Sequence, residues 1–216
     1  MTFSIGIFDL FTYLTPGSLY LTLTAYLAVR QDWLRLDDLS RQPTPLLLLL
    51  ALLLAYVVGN ATYGLGLVVD RALPFWNWNR FDARRVFAEQ VPGAAGSRMI
   101  AAPWGVLLAA AELHNREVAA EATRMRAIGL MMRNATVPLL LGAVLAVVEA
   151  GRGFGGTTAV LAGLALLAVA AGAAWRSVVL RFWAEVKTLR ICFVIPDIED
   201  RLRGPAGTEP AGGPRA

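Results

Sequence analysis

The chain has 216 residues, 56% hydrophobic and 17% charged, with a formal net charge of +4. Soluble domains carry about 25% charged residues, and here the apolar excess sits in long uncharged blocks, so an ordinary soluble domain is excluded and a membrane-embedded chain is predicted. The single cysteine, Cys192, excludes an intrachain disulfide and a cysteine-based metal site.

Residues 1–15 hold Phe3, Ile5, Ile7, Phe8, Leu10, Phe11 and Leu14, a short apolar stretch suited to the membrane interface. The first nine residues carry no Lys or Arg, so no signal peptide is expected. Leu10–Val29 is uncharged for 20 residues, the length a helix needs to span hydrocarbon. The first span is therefore placed at 10–29, starting or kinking at Thr15-Pro16-Gly17, where a capping Thr precedes a Pro suited to a first helical turn. After a short polar loop, residues 44–69 give 26 uncharged positions with ten consecutive Leu or Ala, and this is the second span. It is long enough to tilt.

In residues 70–98, Phe75, Trp76, Trp78, Phe81 and Phe87 alternate with Arg80, Arg84 and Arg85, a mixture that suits the headgroup level. Residues 99–111 are apolar but too few for a span. They run into a polar stretch in which Leu108, Ala111, Asn115, Val118, Ala122, Met125, Gly129 and Met132 recur at alternating spacings of 3 and 4. That is a heptad stripe on one long helix, which continues into a third span at 127–148. Only 15 uncharged residues follow Arg133, so a short span or a snorkelling arginine is expected. A turn at 149–156 leads to the fourth span, 157–175. Beyond it Val179, Phe182, Val186, Leu189 and Phe193 form a second stripe. The two stripes are expected to pack as a hairpin stalk. Pro196 ends the helix, and 204–216 reads as a disordered tail.

The fold expected is thus all-α: an integral membrane protein, one domain over 1–203, with four spans, interfacial or cytosolic helices at about 74–126 and 176–195, and a cytosolic stalk. With both ends inside, sixteen of the twenty basic residues lie in the cytoplasm, as the positive-inside rule favours. That places the chain in a bacterial inner membrane with both termini cytoplasmic. It also accounts for the basic charge without nucleic acid.

The chemistry-bearing motifs are few. There is no G-x-S-x-G, P-loop, H-E-x-x-H or Cys–His pairing, so neither an enzyme nor a cofactor is expected. His114, Glu117 and Glu121 fall near one helical face, the spacing of a metal site. The chain has one histidine and the surroundings are charged, so a solvated face is the reading adopted and no metal is expected. In span one, Thr12, Thr15, Ser18, Thr22 and Tyr26 share one arc. Either they line a water-filled path in an oligomer, or their hydroxyls bond to nearby carbonyls and neighbouring helices. Asn60 in span two carries the same two readings. Ala159/Gly163, Ala168/Gly172 and Gly142/Ala146 are small-xxx-small pairs that favour close helix contact.

Phe8-Asp9-Leu10-Phe11-Thr12-Tyr13-Leu14-Thr15-Pro16-Gly17 resembles the entry of many small, uncharacterised bacterial multi-pass proteins, in which an aromatic stretch and Leu-x-Pro-Gly lead into a spanning helix. Some proteins of this design look like membrane effectors of anti-phage defence. The resemblance implies a homo-oligomer that perturbs the inner membrane when a cytosolic partner signals. The expected function is an oligomeric pore or membrane-perturbing effector. Its candidate pore-lining residues are Thr15, Ser18, Thr22, Tyr26 and Asn60, and its candidate assembly or partner stripe is Val118, Ala122, Met125, Val179, Phe182, Val186 and Leu189. The alternative is a non-catalytic membrane anchor or scaffold docking a soluble partner. The partners expected are the lipid bilayer, further copies of the chain and a cytosolic protein.

Overall fold

A computed structural model describes residues 4–35, 43–72, 82–196 and 198–199. Among the described residues every regular element is helical: α1 (Ser4–Arg30), α2 (Thr44–Ala61), α3 (Gly66–Ala72), α4 (Ala83–Gln90), α5 (Arg98–Ala101), α6 (Trp104–His114), α7 (Arg116–Gly151) and α8 (Gly156–Val194), with 3-10 turns at Tyr63–Leu65 and Pro92–Ala94. Three helices, α2, α7 and α8, are long and apolar enough to cross a membrane. The 27-residue α1 has the length, but its Thr, Tyr, Pro and Gly residues dilute its apolar character. The expected tail at 204–216 and the aromatic run through Trp76 and Trp78 lie outside the described residues.

Of the two alternatives at Pro16, a helix start is excluded: α1 is continuous from Ser4, with Pro16 inside it and buried. Two sequence expectations need correction. Residues 44–69 are not one helix. The second helix ends at Ala61, where the Thr62 hydroxyl donates to the carbonyl of Val58 at 2.7 Å, and the chain turns through Tyr63–Leu65 into α3. Nor does the first heptad stripe lie on one helix. Asn115 is extended (φ −148°, ψ 97°) and its side-chain oxygen accepts from the Val118 N–H at 3.2 Å, ending α6 and capping α7. An Asn that can satisfy an orphan N–H favours a new helix start over continuation.

The chain forms two compact units. The first comprises residues 1–77 and 126–181. In it α1 and α2 run antiparallel, because Gly17 meets Ala55 while Gly59 meets Tyr13. A Cβ on Gly17 would lie 1.7 Å from the Ala55 carbonyl oxygen, and one on Gly59 would lie 1.9 Å from that of Tyr13. The two backbones are therefore in direct contact. The Tyr13 ring packs on Tyr56 and Tyr63, with centroids 5.9 and 5.7 Å away. Gly163 of α8 sits against Ala146, Ala143 and Val147 of α7, and Gly142 against Leu166 and Leu23. Two of the expected small-residue pairs thus serve contacts within the chain. Gly172 has nothing within 4 Å of its would-be Cβ. Gly153 and Gly155, with φ of +80° and +73°, turn the chain from α7 to α8, a conformation other residues adopt only with strain.

The second unit comprises residues 78–125 and 182–216. Asp82 caps α4 by accepting from the N–H groups of Arg84 and Arg85. Its core joins Phe87, Met99, Leu107, Ala111, Ala119, Leu189, Cys192 and Ile195. The pieces are pinned by specific bonds. The Cys192 thiol donates to the Leu107 carbonyl at 3.1 Å, and Arg84 reaches both Glu185 and the Ala102 carbonyl. Burial pushes the Cys192 thiol up to about 11.

Candidate functional site

The first unit holds an ion cluster at the end of its apolar runs. Asp70, the first charged residue after 44–69, accepts from Arg133 at 3.1 Å and from both terminal nitrogens of Arg181 at 2.9 and 2.7 Å. The Arg133 side chain is only 4% exposed. Its Nε and Nη2 donate to the Asn134 side-chain oxygen, both at 3.3 Å, and its guanidinium lies 5.2 Å from the centre of the Tyr63 ring. Asn134 in turn packs on Gly66, whose absent Cβ would sit 2.1 Å from the Asn134 oxygen. Arg133 therefore does not snorkel outward, as its place beside a short apolar run suggested. A buried guanidinium is held by a carboxylate and an amide instead.

A second pair lies at the other end of the α7 apolar run. Glu149, with its side chain 7% exposed, meets Arg30 at 3.4 Å, and the Arg30 guanidinium stands 3.7 Å over the Phe154 ring. Sixteen residues of helix separate Arg133 from Glu149, about 24 Å at 1.5 Å per residue.

Of the candidate pore residues, Ser18, Thr22, Tyr26 and Asn60 are exposed and Thr15 is half-buried. Ser18 donates to the Thr15 carbonyl and Thr22 to that of Ser18, each at 2.8 Å. Because α1 and α2 are antiparallel and touch at Gly17 and Gly59, the residues that follow these glycines, Ser18 and Asn60, emerge on one side of the pair.

The stripe residues divide. Ala122, Val186 and Leu189 are buried, Val179, Phe182 and Met125 half-buried, and Val118 exposed. In the second unit Val118, Met125 and Val186 line an open groove of about 520 Å³ together with Trp183, Ile191 and Val194. His114, Lys187 and Arg190 also border it. Lys187 pairs with Glu121, and Arg190 donates to Gln90 at 3.0 Å. The apolar lining remains open: Trp183 is 46% and Val194 72% exposed. The break at Asn115 puts His114 on a different helix from Glu117 and Glu121, so the helical spacing of a metal site does not exist. Among the described residues no three His, Cys, Asp or Glu side chains gather to hold a metal.

No family model, curated protein or solved structure matches the chain. Sequence reading missed Asp70, Arg181 and Gly66 as the partners of Arg133 and Asn134. A signal was present in the sequence: the uncharged runs 44–69 and 134–148 are bounded by Asp70 and Arg133.

Proposed function

We propose that the protein is a four-span protein of the bacterial inner membrane, both termini cytoplasmic, that anchors a cytosolic protein partner through its second unit. Two charge levels support four spans. Arg30 pairs with Glu149 at one end, and Asp70 with Arg133 and Arg181 at the other, as an up-down-up-down course of α1, α2, α7 and α8 requires. The stalk is then formed by the charged portions of α7 and α8. The observation that carries docking is the groove, whose apolar walls are left open. Lys187 and Arg190 border those walls, so they fit a helix with an apolar face and an acidic edge. A photo-crosslinking side chain placed at Val118 or Trp183 in cells is expected to give one discrete adduct, lost on Val186→Asp. Labelling no stronger than from exposed Ala120 at both positions sinks the docking reading.

A second reading, an oligomeric pore or membrane-perturbing effector of bacterial defence gated through the cytosolic helices, is favoured by Ser18 and Asn60 emerging on one side of the α1–α2 pair. Thr22, one turn beyond Ser18, is also exposed. It ranks second because the Ser18 and Thr22 hydroxyls already donate to their own helix, which removes the need for a water path. Ion flux through reconstituted liposomes that Thr22→Leu reduces favours the pore. A strictly monomeric protein excludes it.

A further inference from the structure

We propose that the Asp70–Arg133–Arg181–Asn134 cluster binds one phosphate group, that of an anionic lipid headgroup at the end of the first unit's apolar runs. Charge is the first reason. Two guanidinium groups share a single carboxylate, so the cluster carries one excess positive charge. The acids of this unit are Asp9, Asp32, Asp37, Asp38, Asp70 and Glu149. Among the described residues only Asp70 pairs with either arginine.

Donors are the second reason. Arg181 uses its Nε on the Ser177 carbonyl and one N–H from each terminal nitrogen on Asp70. A guanidinium has five N–H groups, so two remain. Arg133 likewise uses three, on Asp70 and Asn134. The Asn134 amide nitrogen is buried and has no partner among the described residues, while Asn134 itself is only 3% exposed. A buried donor left unmade is costly. The missing group is therefore an acceptor with several oxygens and negative charge, the match for forked arginine donors.

Position chooses the source. The uncharged runs 44–69 and 134–148 stop at Asp70 and Arg133, and 157–175 stops shortly before Arg181. This is the level at which lipid phosphates lie, and basic pockets between membrane helices bind anionic headgroups. The Arg181 side chain is 25% exposed and that of Arg133 only 4%, so an arriving phosphate meets Arg181 first.

The inference rests on the membrane reading. The test is thermal unfolding of the full chain in neutral detergent with phosphatidylglycerol, phosphatidylcholine or inorganic phosphate. Phosphatidylglycerol at about 100 times Kd is expected to raise Tm by roughly 5–10 °C, and phosphatidylcholine much less. Arg181→Gln removes the excess charge while leaving the Asp70–Arg133 pair, and should lose most of that gain. Asp70→Asn removes the carboxylate's charge and leaves both guanidinium groups without a counter-charge, so phosphatidylglycerol should raise its Tm more than that of the unmodified chain. A cluster that is only an ion-pair lock gives a less stable Asp70→Asn protein with no lipid-specific recovery. Equal Tm in the two lipids, or a full gain retained by Arg181→Gln, overturns the proposal. A gain from inorganic phosphate alone replaces the lipid source with a free anion. A chain that alkaline washing strips from vesicles overturns the membrane reading and the lipid source together.

Discussion

Gly17→Ala sets two effects of opposite sign against each other at the α1–α2 contact. In a helix interior Ala is favoured over Gly by about 1 kcal/mol, so without tertiary contact the change would stabilise. The Cβ it adds lies 1.7 Å from the Ala55 carbonyl oxygen, 2.7 Å from the carbonyl carbon and 2.8 Å from the Gly59 nitrogen. All three are backbone atoms, so no side chain can swing aside and the helices must part by about 1.5 Å to restore van der Waals distance. Overpacking of this kind costs about 1–3 kcal/mol or more. The parting also loosens the Tyr13 contacts with Tyr56 and Tyr63. The net expectation is a loss of about 2 kcal/mol, or roughly 4–8 °C in Tm at this chain length. Gly64→Ala is the control: nothing lies within 4 Å of its Cβ, so Tm should hold. Gly59→Ala should resemble Gly17→Ala, and the double variant should lose less than the sum, because one separation relieves both clashes. Equal melting of the Gly17 and Gly64 variants in detergent would refute direct backbone contact.

Three further outcomes are expected. Arg30→Ala leaves the nearly buried Glu149 carboxylate unpaired and should cost about 1–3 kcal/mol, whereas Glu149→Gln in the same background should recover part of it; no recovery contradicts the pairing. Asn115→Ala removes the cap of α7 and should cost about 1 kcal/mol, while Asn115→Asp, which keeps the acceptor, should be near neutral by thermal melting. Cys192, buried and with its thiol pushed up to about 11, should resist alkylation at pH 8 until the chain is unfolded. The folded thiol keeps its proton where the unfolded one ionises, so its contribution to stability is intact below about pH 9 and is lost as pH rises from there toward 11. Rapid labelling of the native protein would contradict this.

Much of the helical layout was legible in where charge is missing. Uncharged runs located the apolar parts of α2, α7 and α8, and the glycines of 151–156 located the turn. The breaks at Thr62 and Asn115 were harder to see, because each depends on one side chain bonding a nearby backbone group against an otherwise helical pattern. Ala55 and Gly59 are a small-xxx-small pair, but only the placement of Gly17 opposite them reveals what it is for. The Arg133 partner was out of reach of periodicity. Asp70 lies 63 residues away, and the pairing emerges only when the ends of three apolar runs are set at one level. The groove was half legible: Val118, Met125 and Val186 were singled out, whereas Trp183, Ile191 and Val194 fall off the stripe and join it through the way the second unit packs.

The two charge levels have a consequence for the membrane itself. On the membrane reading proposed above, they lie about 24 Å apart, and α2, at 18 residues, extends about 27 Å. A typical hydrocarbon layer is about 30 Å thick. The surrounding lipid must then thin by several ångströms around each molecule, at a modest cost per ångström that grows with acyl-chain length. On the same reading, molecules sharing one thinned zone would disturb less lipid than molecules apart, by a margin that grows in longer-chain lipid.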